Sequence, residues 1–305
     1  MKIFLTGSDG FIGQHITEVL EKVHTIHPMQ ANLLEHDKVR QELQNADPDL
    51  IIHLAARTEV QESFVEQITF SEINYVGTVN LIESASELKN LKNFIFASTM
   101  ETYGWQPISD EVKENKVPKQ VVLFDENTPT NPNCPYAVAK LACEYYLKYA
   151  RRSSGLPYTI IRQTNAYGRK DNNYFVTEQI ISQMLTNQRE INLGYGEPYR
   201  NFLYIEDMID MWESVVKDFD KCIGKTFTIG PGQAIKIKDY ADLIAKKMDW
   251  KGKINWNTKP PRPGEIYWLC SNNRLITETI GWEPKTSLSD GLDKTIEIWR
   301  KKYAG

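Results

Sequence analysis

The chain has 305 residues, 41% of them hydrophobic, and a net charge of −4 from 36 Lys and Arg against 40 Asp and Glu. That is apolar material for one large domain or two modest ones, and the absence of any basic run excludes nucleic acid and acidic membrane surfaces as expected partners. No apolar stretch approaches the ~20 residues of a membrane helix, and no basic, apolar leader opens the chain, so a cytoplasmic protein is expected.

Strand-like and helix-like segments alternate over the first two thirds. Lys2–Thr6 predicts a strand, Phe11–Glu21 a helix and His24–His27 a short strand. His36–Leu43 predicts a helix, Asp49–Leu54 a strongly apolar strand and Phe70–Leu88 a helix with Ile73, Val76, Val79, Leu81 and Ile82 at helical spacing. Asn93–Ser98 and Tyr158–Arg162 read as strands on either side of a helix at Tyr136–Arg151. Continuous apolar strands between amphipathic helices predict an α/β fold, a doubly wound parallel sheet covered on both faces. After residue 168 the segments turn polar and rich in Gly and Pro, which predicts a smaller C-terminal lobe. The expected division is a parallel-sheet domain at 1–168, with 199–230 returning to it through strands Asn201–Ile205 and Thr226–Ile229. The lobe takes 169–198 and 231–305. The polar tract Gln106–Pro132 and the tract Asn172–Gln188 are expected to shape a binding pocket.

Three features carry chemistry. The first strand runs into Gly7, Gly10 and Gly13, spaced three apart, and then into a helix. Such a turn lets backbone approach a diphosphate and aims a helix N-terminus at it. Tyr136 and Lys140 stand four apart on a predicted helix and so share a face. A phenol with its ordinary pKa of about 10 is a poor base, and a nearby ammonium would lower it. Ser98 and Thr99 end a predicted strand, where ligands bind in such sheets; a hydroxyl there can hold a substrate oxygen while Tyr136 takes its proton.

Metal and nucleophile chemistry find no support. The four cysteines form no C-x-x-C pair, and all five histidines fall at or before His53. No metal site is expected, and the cysteines read as reduced packing residues.

In this order the three features resemble the extended short-chain dehydrogenase/reductase family, in particular its NAD-dependent nucleotide-sugar epimerases and dehydratases. Further matching stretches are His53–Ala56, Asn74–Ile82, Asn165–Gly168, Arg200–Asp207 and Arg262–Glu265, so the resemblance spans essentially the whole chain. It implies that Gly7, Gly10, Phe11, Ile12 and Gly13 surround the cofactor pyrophosphate. Asn32 and Leu33 would lie near the adenine, and Leu54, Ala55 and Ala56 along the cofactor's path. Asn74, Ser98, Tyr136 and Lys140 would complete the cofactor set. Thr99, Tyr136, Lys140 and Glu101 become the catalytic set. Thr99, Asn165, Arg200, Arg262 and Glu265 become the substrate set, facing a nucleotide-diphosphate sugar. A homodimer packed through Phe70–Leu88 and Tyr136–Arg151 is also implied.

Two departures matter. The end of the second strand, Ile26–Asn32, has neither the acid that often holds an adenosine ribose nor an arginine for a 2′-phosphate; NAD is expected and NADP stays open. Between Thr99 and Glu101 stands Met100, which can do no proton chemistry. The expected reaction is therefore oxidation to a 4-keto sugar and hydride return to the opposite face, a 4-epimerisation. A 4,6-dehydratase using Glu101 as base and a 4-keto-sugar reductase are the alternatives. A non-catalytic NAD(P)-binding sensor would have no need of Thr99, Tyr136 and Lys140 together.

Overall fold

Neighbouring residues of the first strands are apolar in pairs, and the tertiary structure uses both members. The computed structural model of the chain describes residues 1–106 and 121–304. Its six-stranded sheet is built from β1 (Lys2–Thr6), β2 (Thr25–Pro28), β3 (Leu50–His53), β4 (Asn93–Thr99), β5 (Tyr158–Gln163) and β6 (Thr226–Ile229). The order is β6-β5-β4-β3-β1-β2 and every pairing is parallel. Ile3, Leu5, Leu50 and Ile52 face one core, whereas Phe4 and Ile51 face another. The two cores lie on opposite faces because successive side chains of a strand alternate.

Helix α1 (Phe11–Leu20) packs with the helix Ile205–Lys217 on the first face. Helices α2 (His36–Ala46), α3 (Gly77–Ser86) and α4 (Pro135–Ser154) cover the second. The order of strand addition reverses about β1: β2 lies on one side of it and β3 on the other. The crevice above the β1 and β3 ends is the switch point where such sheets bind ligands.

Helix α4 shows how local sequence sets an element's bounds. Pro135 sits in its first turn, the Cys134 Sγ accepts from the Ala137 N–H, and Gly155 closes it in the left-handed region at φ 80°. This is the usual asymmetry of Pro at the start and Gly at the end. The helix expected over Phe70–Leu88 is instead broken into Gln67–Ser71, a π-helical turn Glu72–Val76 and α3. The extra residue of a π turn brings Asn74 inward, where its amide accepts from the Arg57 N–H and donates to the Arg57 carbonyl.

Beyond residue 168, helices Val176–Thr186, Ile237–Met248 and Leu288–Ala304 pack on one another. Of the two strands expected to return, Thr226–Ile229 joins the large sheet as its edge, β6. The other is shorter, Phe202–Tyr204, and pairs in parallel with Asn165–Tyr167 in a separate two-stranded sheet. It cannot extend through Ile205, which already begins a helix. Residues 107–120 of the expected pocket-shaping tract lie outside the described residues.

Candidate active site

The turn after β1 is shaped by close packing. Gly7 has φ +73°, and a Cβ there would lie 2.7 Å from the Ala55 nitrogen. A Cβ on Gly13 would strike the Gly7 carbonyl oxygen. A side chain at either position is therefore excluded by backbone, not by movable groups. The result is α1 pressed onto its own turn, with the β3-end backbone of Leu54 and Ala55 alongside. These residues line one cavity of about 1230 Å³.

The same cavity receives most of the residues singled out from the sequence. Gly7, Gly10, Phe11, Ile12, Gly13, Leu54, Ala55 and Ala56 form one end. Thr99, Glu101, Tyr136 and Asn165 also line it, as do Arg200, Arg262 and Glu265. Side chains more than a hundred residues apart thus converge on a cavity opening at the switch point. The open, glycine-lined backbone of residues 7–13 at a helix N-terminus fits a dinucleotide diphosphate.

Five expected site residues do not line this cavity. Asn32 turns its Oδ1 back to the Leu34 N–H, and Leu33 is buried beneath Gly77. Asn74 is held on the Arg57 backbone. The Ser98 Oγ donates to Glu144 at 2.5 Å. Lys140 is buried, its Nζ donating to the Ala97 carbonyl at 2.8 Å and lying 4.7 Å from the Phe96 ring centre.

The electrostatics of the tyrosine differ from the sequence-based expectation. Burial raises the Tyr136 pKa well above that of a free phenol, and the charges of Cys134 and Glu101 push the same way. The Thr99 hydroxyl beside it acts in the opposite direction. Burial also lowers the Lys140 pKa to about 8, against the charges of Cys143 and Glu144. The physical reason is that desolvation penalises both charged forms, and the ammonium's hydrogen bond goes to a carbonyl.

Arg200 and Arg262 converge on one carboxylate. Glu265 accepts from the Arg200 Nη2 at 2.9 Å and from the Arg262 Nη2 at 3.0 Å. Burial raises the Glu265 pKa, but the two guanidinium charges outweigh it and hold the group below its ordinary value. Such a forked cation pair at a cavity wall suits phosphate oxygens.

Sequence reasoning missed Arg169. It follows the Asn165–Gly168 stretch, and no periodicity marks it. It is buried, lines the cavity, and lies over two rings, 4.2 Å from the Phe11 centre and 3.8 Å from the Phe175 centre. Tyr195, Trp256 and Lys259 of the C-terminal part also line the cavity. Among the described residues no cluster of three or more His, Cys, Asp or Glu is placed to hold a metal, and no helix is long and apolar enough to cross a membrane.

A family model described as GDP-mannose 4,6 dehydratase matches residues 21–295. The chain belongs to that family. Its relatives include the dTDP-glucose 4,6-dehydratase 1 of Escherichia coli, 27% identical over 97% of this chain and 92% of the relative. The solved structure of a UDP-glucose 4-epimerase from Thermotoga maritima, crystallised with UDP-glucose, is 26% identical and covers 99% of each chain at a TM-score of 0.88. The UDP-glucuronic acid 4-epimerase of Bacillus cereus, 24% identical, shares the fold at a TM-score of 0.86 over 99% of this chain and 100% of its own. This family member is an enzyme of the nucleotide-sugar epimerase/dehydratase class, on the extended short-chain dehydrogenase/reductase fold.

Proposed function

We propose that the enzyme interconverts the C4 epimers of a nucleotide-diphosphate sugar, with NAD as cofactor. One observation carries this reading. Thr99 and Tyr136 open into the cavity of the glycine turn, while the side chain at position 100 is a buried methionine packed with Tyr103, Phe124 and Trp268. The cavity wall therefore offers a hydroxyl and a phenol to one sugar oxygen, and no acid at position 100.

When bound, NAD supplies the hydride acceptor and donor at its nicotinamide. The Thr99 hydroxyl orients the C4 oxygen, and the Tyr136 oxygen takes its proton as the C4 hydride leaves. The 4-keto sugar then turns over, and Tyr136 returns the proton when hydride arrives at the opposite face. Arg200, Arg262 and Asn165 hold the substrate diphosphate, and Glu265 keeps the two guanidinium groups in register. Residues 1–168 and 199–230 form the NAD-holding part, and 169–198 with 231–305 the part that closes over the nucleotide sugar. NAD is favoured over NADP by charge at the β2 end. There Glu42 accepts from the Gln30 and Ala31 N–H groups, both at 2.8 Å, and a carboxylate at that strand end disfavours a cofactor carrying a 2′-phosphate.

A second reading is 4,6-dehydration, favoured by Glu101, whose side chain lines the same cavity. Incubation with NAD and a panel of UDP-, dTDP-, GDP- and CDP-hexoses separates the two. A 4-epimer as product is expected. A 4-keto-6-deoxy product replaces epimerisation with dehydration. Glu101→Gln is expected to lower kcat less than about tenfold in an epimerase, against about a hundredfold or more where Glu101 is the obligatory base.

The enzyme is also proposed to be a cytoplasmic homodimer. Ile68, Val138, Tyr145 and Tyr149 are exposed on two helices that pack together, Val65 is exposed in the turn before the first of them, and all four cysteines are free and buried. Sedimentation equilibrium and cell fractionation check the two statements; a monomer at micromolar concentration or recovery outside the cytoplasm removes the respective one.

A further inference from the structure

We propose that Arg169 is a cofactor-binding residue, a cation beside the N-terminus of α1 that closes on the dinucleotide diphosphate held by the glycine turn. The inference rests on the reading of the cavity as an NAD site and adds a ligand to it from beyond the glycine-turn domain.

Three observations place Arg169 in that role. First, its position: the guanidinium lies against Phe11, the first residue of α1, and so beside the helix N-terminus that faces the diphosphate. Second, its orientation: the Arg169 Cζ lies over both the Phe11 and the Phe175 ring, and the N–H groups of a planar guanidinium point outward from its edge. One edge nitrogen, Nη1, donates to the Ala166 carbonyl at 2.7 Å. The guanidinium makes no other hydrogen bond to a described residue, and its side chain borders the cavity. Third, its charge balance: Arg200 and Arg262 are both hydrogen-bonded to Glu265. Among the described residues Arg169 forms an ion pair with Glu178 alone, at 3.7 Å, and the charge of Glu59 also acts on it. The Glu178 Oε1 accepts from the Gly168 and Arg169 N–H groups, while the Oε2 that faces the guanidinium has no hydrogen-bond partner among the described residues.

A buried cation with a free edge and a counterion beyond hydrogen-bond distance is costly unless an anion completes it. The carboxylates of Asp9, Glu18 and Glu59 line the same cavity, but none is hydrogen-bonded to this guanidinium. A diphosphate offers the oxygens that an arginine fork matches. Glu178 then acts as a positioning residue: its two backbone hydrogen bonds fix the turn that carries Arg169, and it leaves the edge of the guanidinium for the ligand. Phe175 belongs to the C-terminal lobe and Phe11 to the sheet domain, so ligand on Arg169 also ties the two parts together.

Calorimetric titration of the purified full chain with NAD, ADP and adenosine tests the proposal. The wild type is expected to bind ADP much more tightly than adenosine. In Arg169→Met the advantage of ADP over adenosine falls about tenfold or more, with adenosine affinity unchanged. Arg169→Lys, which keeps the charge and loses the fork, falls between. An unchanged ADP-to-adenosine ratio in both variants, with only a lower melting temperature, makes Arg169 a structural clasp and overturns the proposal while leaving the NAD reading intact. Wild-type protein that binds none of the three overturns both. Should Arg169→Met fail to fold, a crystal of the wild type with ADP decides: a guanidinium nitrogen about 3 Å from a phosphate oxygen supports the role, and a water-filled gap there ends it.

Discussion

Tyr136→Phe is expected to lower kcat by about a hundredfold to ten-thousandfold, the range for removing an acid–base group, while NAD binding stays within about twofold. The ring is buried in a small apolar cluster with Phe70 and Ala137, so phenylalanine keeps the packing and deletes only the oxygen. That oxygen is where the reaction proton must go if the cavity works as proposed. Unaltered turnover in the variant removes Tyr136 from the mechanism. A pH profile adds a second readout. Burial lowers the Lys140 pKa to about 8, so its charge is present below that pH and lost above it. kcat/KM, which reports groups of the free enzyme, is expected to decline as pH rises through about 8. Lys140→Arg, which cannot lose its charge in this range, is expected to carry no such alkaline limb; a limb at the same pH in that variant assigns it to another group.

Glu144→Ala is expected to destabilise the fold by about 3–5 kcal/mol, the cost of leaving a buried partner charge uncompensated. Glu144 is fully buried. It accepts from the Arg162 Nε at 3.0 Å, the Arg162 Nη2 at 2.7 Å and the Ser98 Oγ at 2.5 Å. Arg162 lies 5.0 Å from the Tyr103 ring centre. Burial alone would lower its pKa, but the Glu144 hydrogen bonds and charge raise it above the ordinary arginine value. Deleting the carboxylate strands the guanidinium under the sheet end that carries Thr99. The double variant Glu144→Leu with Arg162→Met removes both charges and is expected to lose less stability than the single change. Urea denaturation measures both. A midpoint for Glu144→Ala equal to the wild type would mean that water reaches Arg162 and the pair is not a buried one.

The site was legible where it is local and less so where it is assembled. The glycine turn was visible because a positive-φ Gly7 and a Gly13 without room for a Cβ leave glycine as the only residue that fits. Tyr136 and Lys140 could be placed on one helix from their spacing, but spacing says nothing of where an ammonium donates. The Ala97 carbonyl, brought there by β4, is the partner that Lys140 takes. Ser98 resembled a site hydroxyl from its strand-end position. Its side chain points the other way, to Glu144, because alternation along β4 sends residues 98 and 99 to opposite sides. Arg169 carried no signal, since its two rings come from residues 11 and 175.

Local pattern alone determined the parallel sheet, the turn at residue 7 and the helix bearing Tyr136, because apolar period, glycine spacing and capping residues act within a few positions. Tertiary packing decided the partners of Lys140 and Ser98, the convergence of Arg200 and Arg262 on Glu265, the inward turn of Met100 and the stacking of Arg169. Those outcomes depend on which distant groups share a low-dielectric cavity, and burial there sets both hydrogen-bond choice and pKa.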